Sequence, residues 1–231
     1  MTDHLVPGDT RREGPFKIIA SVAAWLWIAA GAYLMVELNL NAEPAFRKLE
    51  FLAHIAFGAM YALPGLLVFF ARRRPNLLLA AAACGFLLAL ESFSLAPIFL
   101  ILSLLILWAY IRTPEARSPR AVSTALICVV LLAAAYWVQI AHQDSRCYSF
   151  STDRAGDTTY QVSVGGSSGA GSSQTSSGWG GRFIDGSSYG GGCTSDITTP
   201  VEGIASLAIV VSIPFVSLAL VREEQFFARL W

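Results

Sequence analysis

The chain has 231 residues, 55% of them hydrophobic and 14% charged, against roughly 25% charged in an average soluble domain. Its 16 Lys and Arg balance 16 Asp and Glu, so no net charge draws it toward nucleic acid or an anionic surface. This composition excludes a disordered chain, a disulfide-dense scaffold and an ordinary water-soluble domain. It points to an all-α polytopic membrane protein.

Residues 1–15 are polar and read as a flexible cytoplasmic tail. A bilayer core of ~30 Å requires about 20 apolar residues as a helix, because backbone groups must be paired internally. Six such runs follow, over residues 18–36, 51–71, 77–90, 95–111, 121–141 and 201–221. The first run is longer than the apolar core of a signal peptide and reads as a retained anchor. The third and fourth runs lie within one nearly continuous apolar stretch, residues 77–111. As a single helix that stretch would be ~52 Å long, too long for one crossing. Glu91-Ser92-Phe93-Ser94 and then Pro97 interrupt it. Ser94 can cap a new helix, and proline is tolerated in a first turn. A helical hairpin is therefore expected.

Orientation follows from the flanking cations. With six spans and the N-terminus inside, 11 Lys and Arg lie on the cytoplasmic side and 5 outside. If residues 77–111 crossed once, the split would be 9 to 7. The expectation is a plasma (inner) membrane protein with both termini in the cytoplasm.

Residues 142–200 form the one sizeable segment outside the membrane. They hold 12 of the 19 glycines and 13 serines, and residues 165–180 are nearly pure low complexity. The ends of this loop differ from its middle. Residues 146–152 and 158–164 carry strand formers around the turn Asp153-Arg154-Ala155-Gly156-Asp157, which reads as a β-hairpin. Cys147 and Cys193 bracket the region on the side where disulfides persist. Their bond is expected, and closing a loop of this length stabilises by ~4 kcal/mol in the chain-entropy model. Cys84 and Cys128 fall inside spans and read as small apolar packing residues. Beyond the last span, residues 222–231 place Phe226, Phe227, Leu230 and Trp231 at helical spacing, as an interfacial anchor.

Ionisable groups in a membrane are functional candidates by default. On the second span Glu50, His54, Gly58, Tyr61 and Gly65 recur at helical spacing, and Gly58 with Ala62 forms a small-xxx-small pair that should face another helix. Ala81 and Gly85 form another. In the six-span arrangement Glu37, Glu50, His54, Glu91, Gln139, His142 and Glu202 all lie near the outer surface. One reading is an outward polar pocket around His54, Glu91, Glu50 and Tyr61, with His54 and Glu91 as an acid–base pair. The other is plain solvation of helix ends, because His54 is about one turn below the interface. Lys48, His54 and Glu91 resemble positions of the VanZ-like membrane family. The Lys-to-His spacing differs, and Ser94 stands where that family has Gln, so no family assignment follows.

No ligand-spacing motif for a metal is present. The glycine clusters at 178–181 and 190–192 lack the Lys-Ser/Thr signature of a phosphate loop, and no cofactor is implied. Pro64 and Pro214 interrupt spans without an accompanying charge, which gives little support to an ion path. Neither a Gly-x-Ser-x-Gly elbow nor a His-Glu-x-x-His run occurs. Trp179, Phe183 and Tyr189 read either as a platform for a carbohydrate or a partner, or as aromatics that pack a small domain or rest on the membrane interface. Two function classes stand. One is a non-enzymatic interaction or sensory protein, embedded in the lipid bilayer, whose loop over residues 142–200 meets a protein or cell-envelope partner. The other is a small-solute transporter or membrane enzyme using the cluster around His54 and Glu91.

Overall fold

The computed structural model describes residues 15–72, 74–92, 95–113, 116, 118–141, 144–164, 179–182 and 187–227. Among them the chain forms helices α1 (Pro15–Asn41), α2 (Arg47–Ala71), α3 (Leu77–Glu91), α4 (Ala96–Arg112) and α5 (Pro119–Ala141), then strands β1 (Asp144–Thr152), β2 (Thr158–Val164), β3 (Trp179–Arg182) and β4 (Ser188–Ile197), and finally α6 (Pro200–Phe227). The tail over 1–14, most of the low-complexity run and residues 228–231 lie outside the described residues.

Four helices, α1, α2, α5 and α6, are long and apolar enough to cross a membrane. Helices α3 and α4 have 15 and 17 residues, or ~22 and ~25 Å. The break falls where Glu91-Ser92 interrupts the apolar run, and Pro97 sits in the first turn of α4. Several helices overrun the apolar stretches that reveal them. Helix α1 continues to Asn41, because Asn39 donates to the Met35 carbonyl at 2.7 Å and Asn41 to the Glu37 carboxylate at 2.6 Å. Both are one-turn contacts that keep a polar end helical. Helix α2 begins at Arg47, once the Glu43 carbonyl has accepted the amides of Phe46 and Arg47.

The helices pack as two rows of three. One row is α1–α2–α6 and the other α4–α3–α5, with α2 against α3 in the middle and α1·α4 and α5·α6 closing the ends. Small residues allow the close approaches. A Cβ at Gly58 would lie 2.6 Å from the Met35 Cβ and 2.7 Å from the Gly31 carbonyl oxygen. One at Gly203 would meet the Ala53 amide at 2.7 Å. Gly58, Gly65 and Ala62 thus face α1, and Gly85 faces Ser103 of α4. Buried Trp27 stacks on Phe99 at 4.5 Å, which leans on Tyr61, so one aromatic run joins α1, α4 and α2. The outward surface is apolar, with Trp25, Leu126 and Phe215 each more than 60% exposed. That pattern suits helices solvated by lipid.

One end of the bundle is tied in register. At the end opposite the sheet, Asn76 before α3 donates to Ser118 before α5 at 3.3 Å. The two helices therefore start level. Helix α5 has 23 residues and α3 has 15, so α3 stops ~12 Å short of the far end of α5. The α3–α4 turn is recessed into the bundle.

The strands form one antiparallel sheet in the order β2-β1-β4-β3. The expected hairpin is β1–β2, with Arg146 opposite Val164 and Thr152 opposite Thr158. Its turn is closed by the Asp153 carboxylate accepting from the Asp157 amide at 3.0 Å. Gly156 holds φ +91° there, a conformation open to glycine at little cost. The sheet is larger than a hairpin because β4 pairs along the other edge of β1. Cys147 and Cys193 are directly opposed in that pairing and joined by a disulfide.

Candidate functional site

The four residues of the expected polar cluster occupy two environments. His54, half-buried on α2, has its Nδ1 3.4 Å from the Asn39 side-chain oxygen on α1. Glu50, one turn nearer the end of α2, is half-buried and engaged by a neighbour. Tyr61, two turns deeper than His54, is buried and faces Ser92 and Glu91 at the recessed turn. Glu91 is exposed at the end of α3, and the Tyr136 hydroxyl of α5 is placed to donate to its carboxylate. Among the described residues His54 meets Asn39 and Glu91 meets Tyr136, with no bond between His54 and Glu91. His142 lies outside the described residues.

Glu91 and Tyr136 belong to a cavity of about 290 Å³ between α3 and α5, which Leu88, Leu132, Trp137 and Ile140 help to line. Its walls are almost wholly apolar, and Glu91 is its one ionisable carboxylate. Tyr136 carries no signal in the sequence, where it is one aromatic in an apolar span. It becomes significant only because α3 is short enough to bring Glu91 to its level. Among the described residues no three His, Cys, Asp or Glu side chains converge as a metal donor set.

Gln139 and Ser206 make a second polar centre. The Gln139 amide, 7% exposed, donates to the Ala53 carbonyl of α2 and to the Ser206 hydroxyl of α6, both at 3.2 Å. Ser206 donates in turn to the Ala135 carbonyl at 3.0 Å. Thr198 donates to the Gln139 carbonyl at 3.4 Å. These bonds lock α2, α5 and α6 together where the sheet leaves the bundle. Sequence position places Gln139 at a helix end facing water. The close approach of Gly203 to Ala53 turns that end into an interior.

The sheet is clasped to the opposite corner of the bundle. Phe46, 1% exposed in the α1–α2 connection, meets Tyr148 of β1 edge-on at 5.4 Å. The Tyr148 hydroxyl also pairs with the Glu43 carboxylate. Burial first, then that bond and the Glu43 charge, raise the Tyr148 phenol above its usual value of 10.0. Glycines in β4 make room for this side chain, since Tyr148 lies across Gly192 on the neighbouring strand. Gly190, Gly191 and Gly192 are therefore a buried central strand. Tyr148, Phe150, Tyr160 and Val162 share one face, by strand register. Ser149, Ser151, Thr159 and Gln161 share the other with the disulfide. Tyr189 pairs with Ser151 on that polar face. Phe183 and the side chain of Trp179, the other members of the expected aromatic platform, lie outside what is described.

Compared with protein families, with characterised proteins and with solved structures, the chain matches none.

Proposed function

We propose that this chain is a six-span plasma-membrane protein with both termini in the cytoplasm, whose work is done by the sheet it displays outside. The polar face of that sheet is the binding surface for a protein or a cell-envelope component, so the chain acts in adhesion, assembly or sensing rather than in catalysis. The observation that carries this reading is how the sheet is held. It is closed by Cys147–Cys193 and clasped by Tyr148 onto Phe46 and Glu43. A connecting loop needs no such bracing, whereas a docking surface gains affinity from being ordered beforehand. The separation of His54 from Glu91 weighs against the acid–base alternative. The cation distribution and the antiparallel α3–α4 hairpin support the six-span count and the sidedness.

The test uses a photo-crosslinking amino acid placed at Ser151, Thr159 and Gln161 in living cells. Discrete adducts of one common mass are expected at these positions, and their loss in the Cys147→Ala variant. The opposite outcome is an absence of adducts on the sheet, together with a deletion phenotype rescued by sheet variants but not by His54→Ala or Glu91→Gln. That result would move the function to the bundle.

A further inference from the structure

The cavity between α3 and α5 has a chemistry of its own. Leu87, Ala133, Trp137 and Ile140 make a surface for acyl chain over the buried Leu88 and Leu132, and Trp137 is 66% exposed at its rim. Glu91 stands at one end as an exposed carboxylate, oriented by Tyr136. A lone carboxylate at membrane depth is costly unless it is paired or drawn to the interface. The geometry draws the interface to it. At ~22 and ~25 Å, α3 and α4 are shorter than a hydrocarbon core of ~30 Å, and short helices thin the bilayer beside them. With the six-span reading, on which this step rests, headgroups dip toward the recessed turn on this side of the bundle. An anionic headgroup is repelled there. A quaternary ammonium has no N–H to give. A protonated primary amine can donate to the carboxylate in a charge-assisted bond while its chains lie on the apolar wall.

We infer that the α3–α5 groove is a selective site for an outer-leaflet phospholipid with a primary amine headgroup, held through Glu91. The Tyr136 hydroxyl positions the carboxylate, and the wall of Leu87, Ala133, Trp137 and Ile140 takes an acyl chain. This site is independent of the partner surface on the sheet.

The purified full-length chain in detergent is titrated with phosphatidylethanolamine, its N,N-dimethyl form and phosphatidylcholine, all with the same acyl chains. Bound lipids are counted by native mass spectrometry. Retention of phosphatidylethanolamine is expected to exceed that of phosphatidylcholine about tenfold, as a charge-assisted bond gained implies, with the dimethyl form between them. Glu91→Gln should bring phosphatidylethanolamine down to the phosphatidylcholine level. Ala133→Trp, which fills the groove, should lower retention of all three. Equal retention by the unaltered protein overturns the proposal without recourse to any variant. So does a preference that survives in Glu91→Gln, or phosphatidylethanolamine retention that is undiminished in Ala133→Trp. Impermeant labelling of Cys147 and Cys193 on the same preparation of cells reports sidedness separately, so a failed lipid site is distinguishable from a wrong topology.

Discussion

Gln139 shows how little a helix-end glutamine reveals until its neighbours are known. Its amide joins three helices through bonds to Ala53 and Ser206, and the site is closed by a glycine on α6. Interhelical hydrogen bonds of this kind contribute ~0.6–2 kcal/mol in membranes. Gln139→Ala should therefore lower the melting temperature of the detergent-solubilised protein, with a loss of ~1–2 kcal/mol, and Ser206→Ala should add little to it because the two share one network. Additive losses would show that the bonds act separately. Tyr148 gives a pH test. Its phenol is raised in the folded protein by burial, by its bond to Glu43 and by that carboxylate's charge. The neutral form is the one favoured, so the stabilisation is fully present below the unfolded value of ~10 and is lost as pH rises through the folded value. Protease cleavage within residues 144–164 should rise above pH ~10 in the unaltered protein. Tyr148→Phe should be cleaved more readily at neutral pH, with the alkaline step reduced. An unchanged step would place its origin elsewhere.

Helices were legible wherever apolarity alone decides the matter. The runs at 51–71, 77–90, 95–111 and 121–141 match α2 to α5 to within four residues at each end. The differences are polar turns such as Arg47–Glu50, which lie beyond the apolar stretch and so leave no hydropathy signal. Strands β3 and β4 were not legible. β3 is Trp-Gly-Gly-Arg and β4 opens on Ser188 and Tyr189 followed by three glycines, so neither shows alternation, and the β-branched Thr194 and Ile197 come only at the end of β4. β4 is a strand because β1 and the disulfide give it a partner, and β3 because β4 does, a tertiary cause that overrides local preference. The glycine pairs between helices were legible as small-xxx-small spacing, but not which neighbour they would face. The structure answers with α1 for Gly58. Gly58→Leu should separate α1 from α2 and destabilise by more than the ~1–3 kcal/mol of ordinary overpacking, since carbonyl backbone blocks the added atoms. Gly58→Ala should cost less, and both are read from thermal melts. A neutral Gly58→Leu would mean that α1 is free to move away.

The two-row bundle explains why the polar cluster read from sequence divides. Sequence places His54 and Glu91 on neighbouring spans at similar depth. Packing turns His54 toward Asn39 on α1, while the short α3 carries Glu91 to Tyr136 on α5. Depth is legible from apolar length, but the azimuth of a side chain depends on neighbours that no span reveals alone. At this scale the account rests on one arrangement, a braced sheet outside a bundle whose helices cross an even number of times. The direct test is labelling with a membrane-impermeant maleimide in intact cells, in a chain whose buried Cys84 and Cys128 are changed to Ser. The account predicts that Cys147 and Cys193 are labelled only after mild reduction. Labelling that requires cell lysis would put the sheet in the cytoplasm, and with it would fall the orientation with both termini inside, the outside partner surface and the outer-leaflet lipid site.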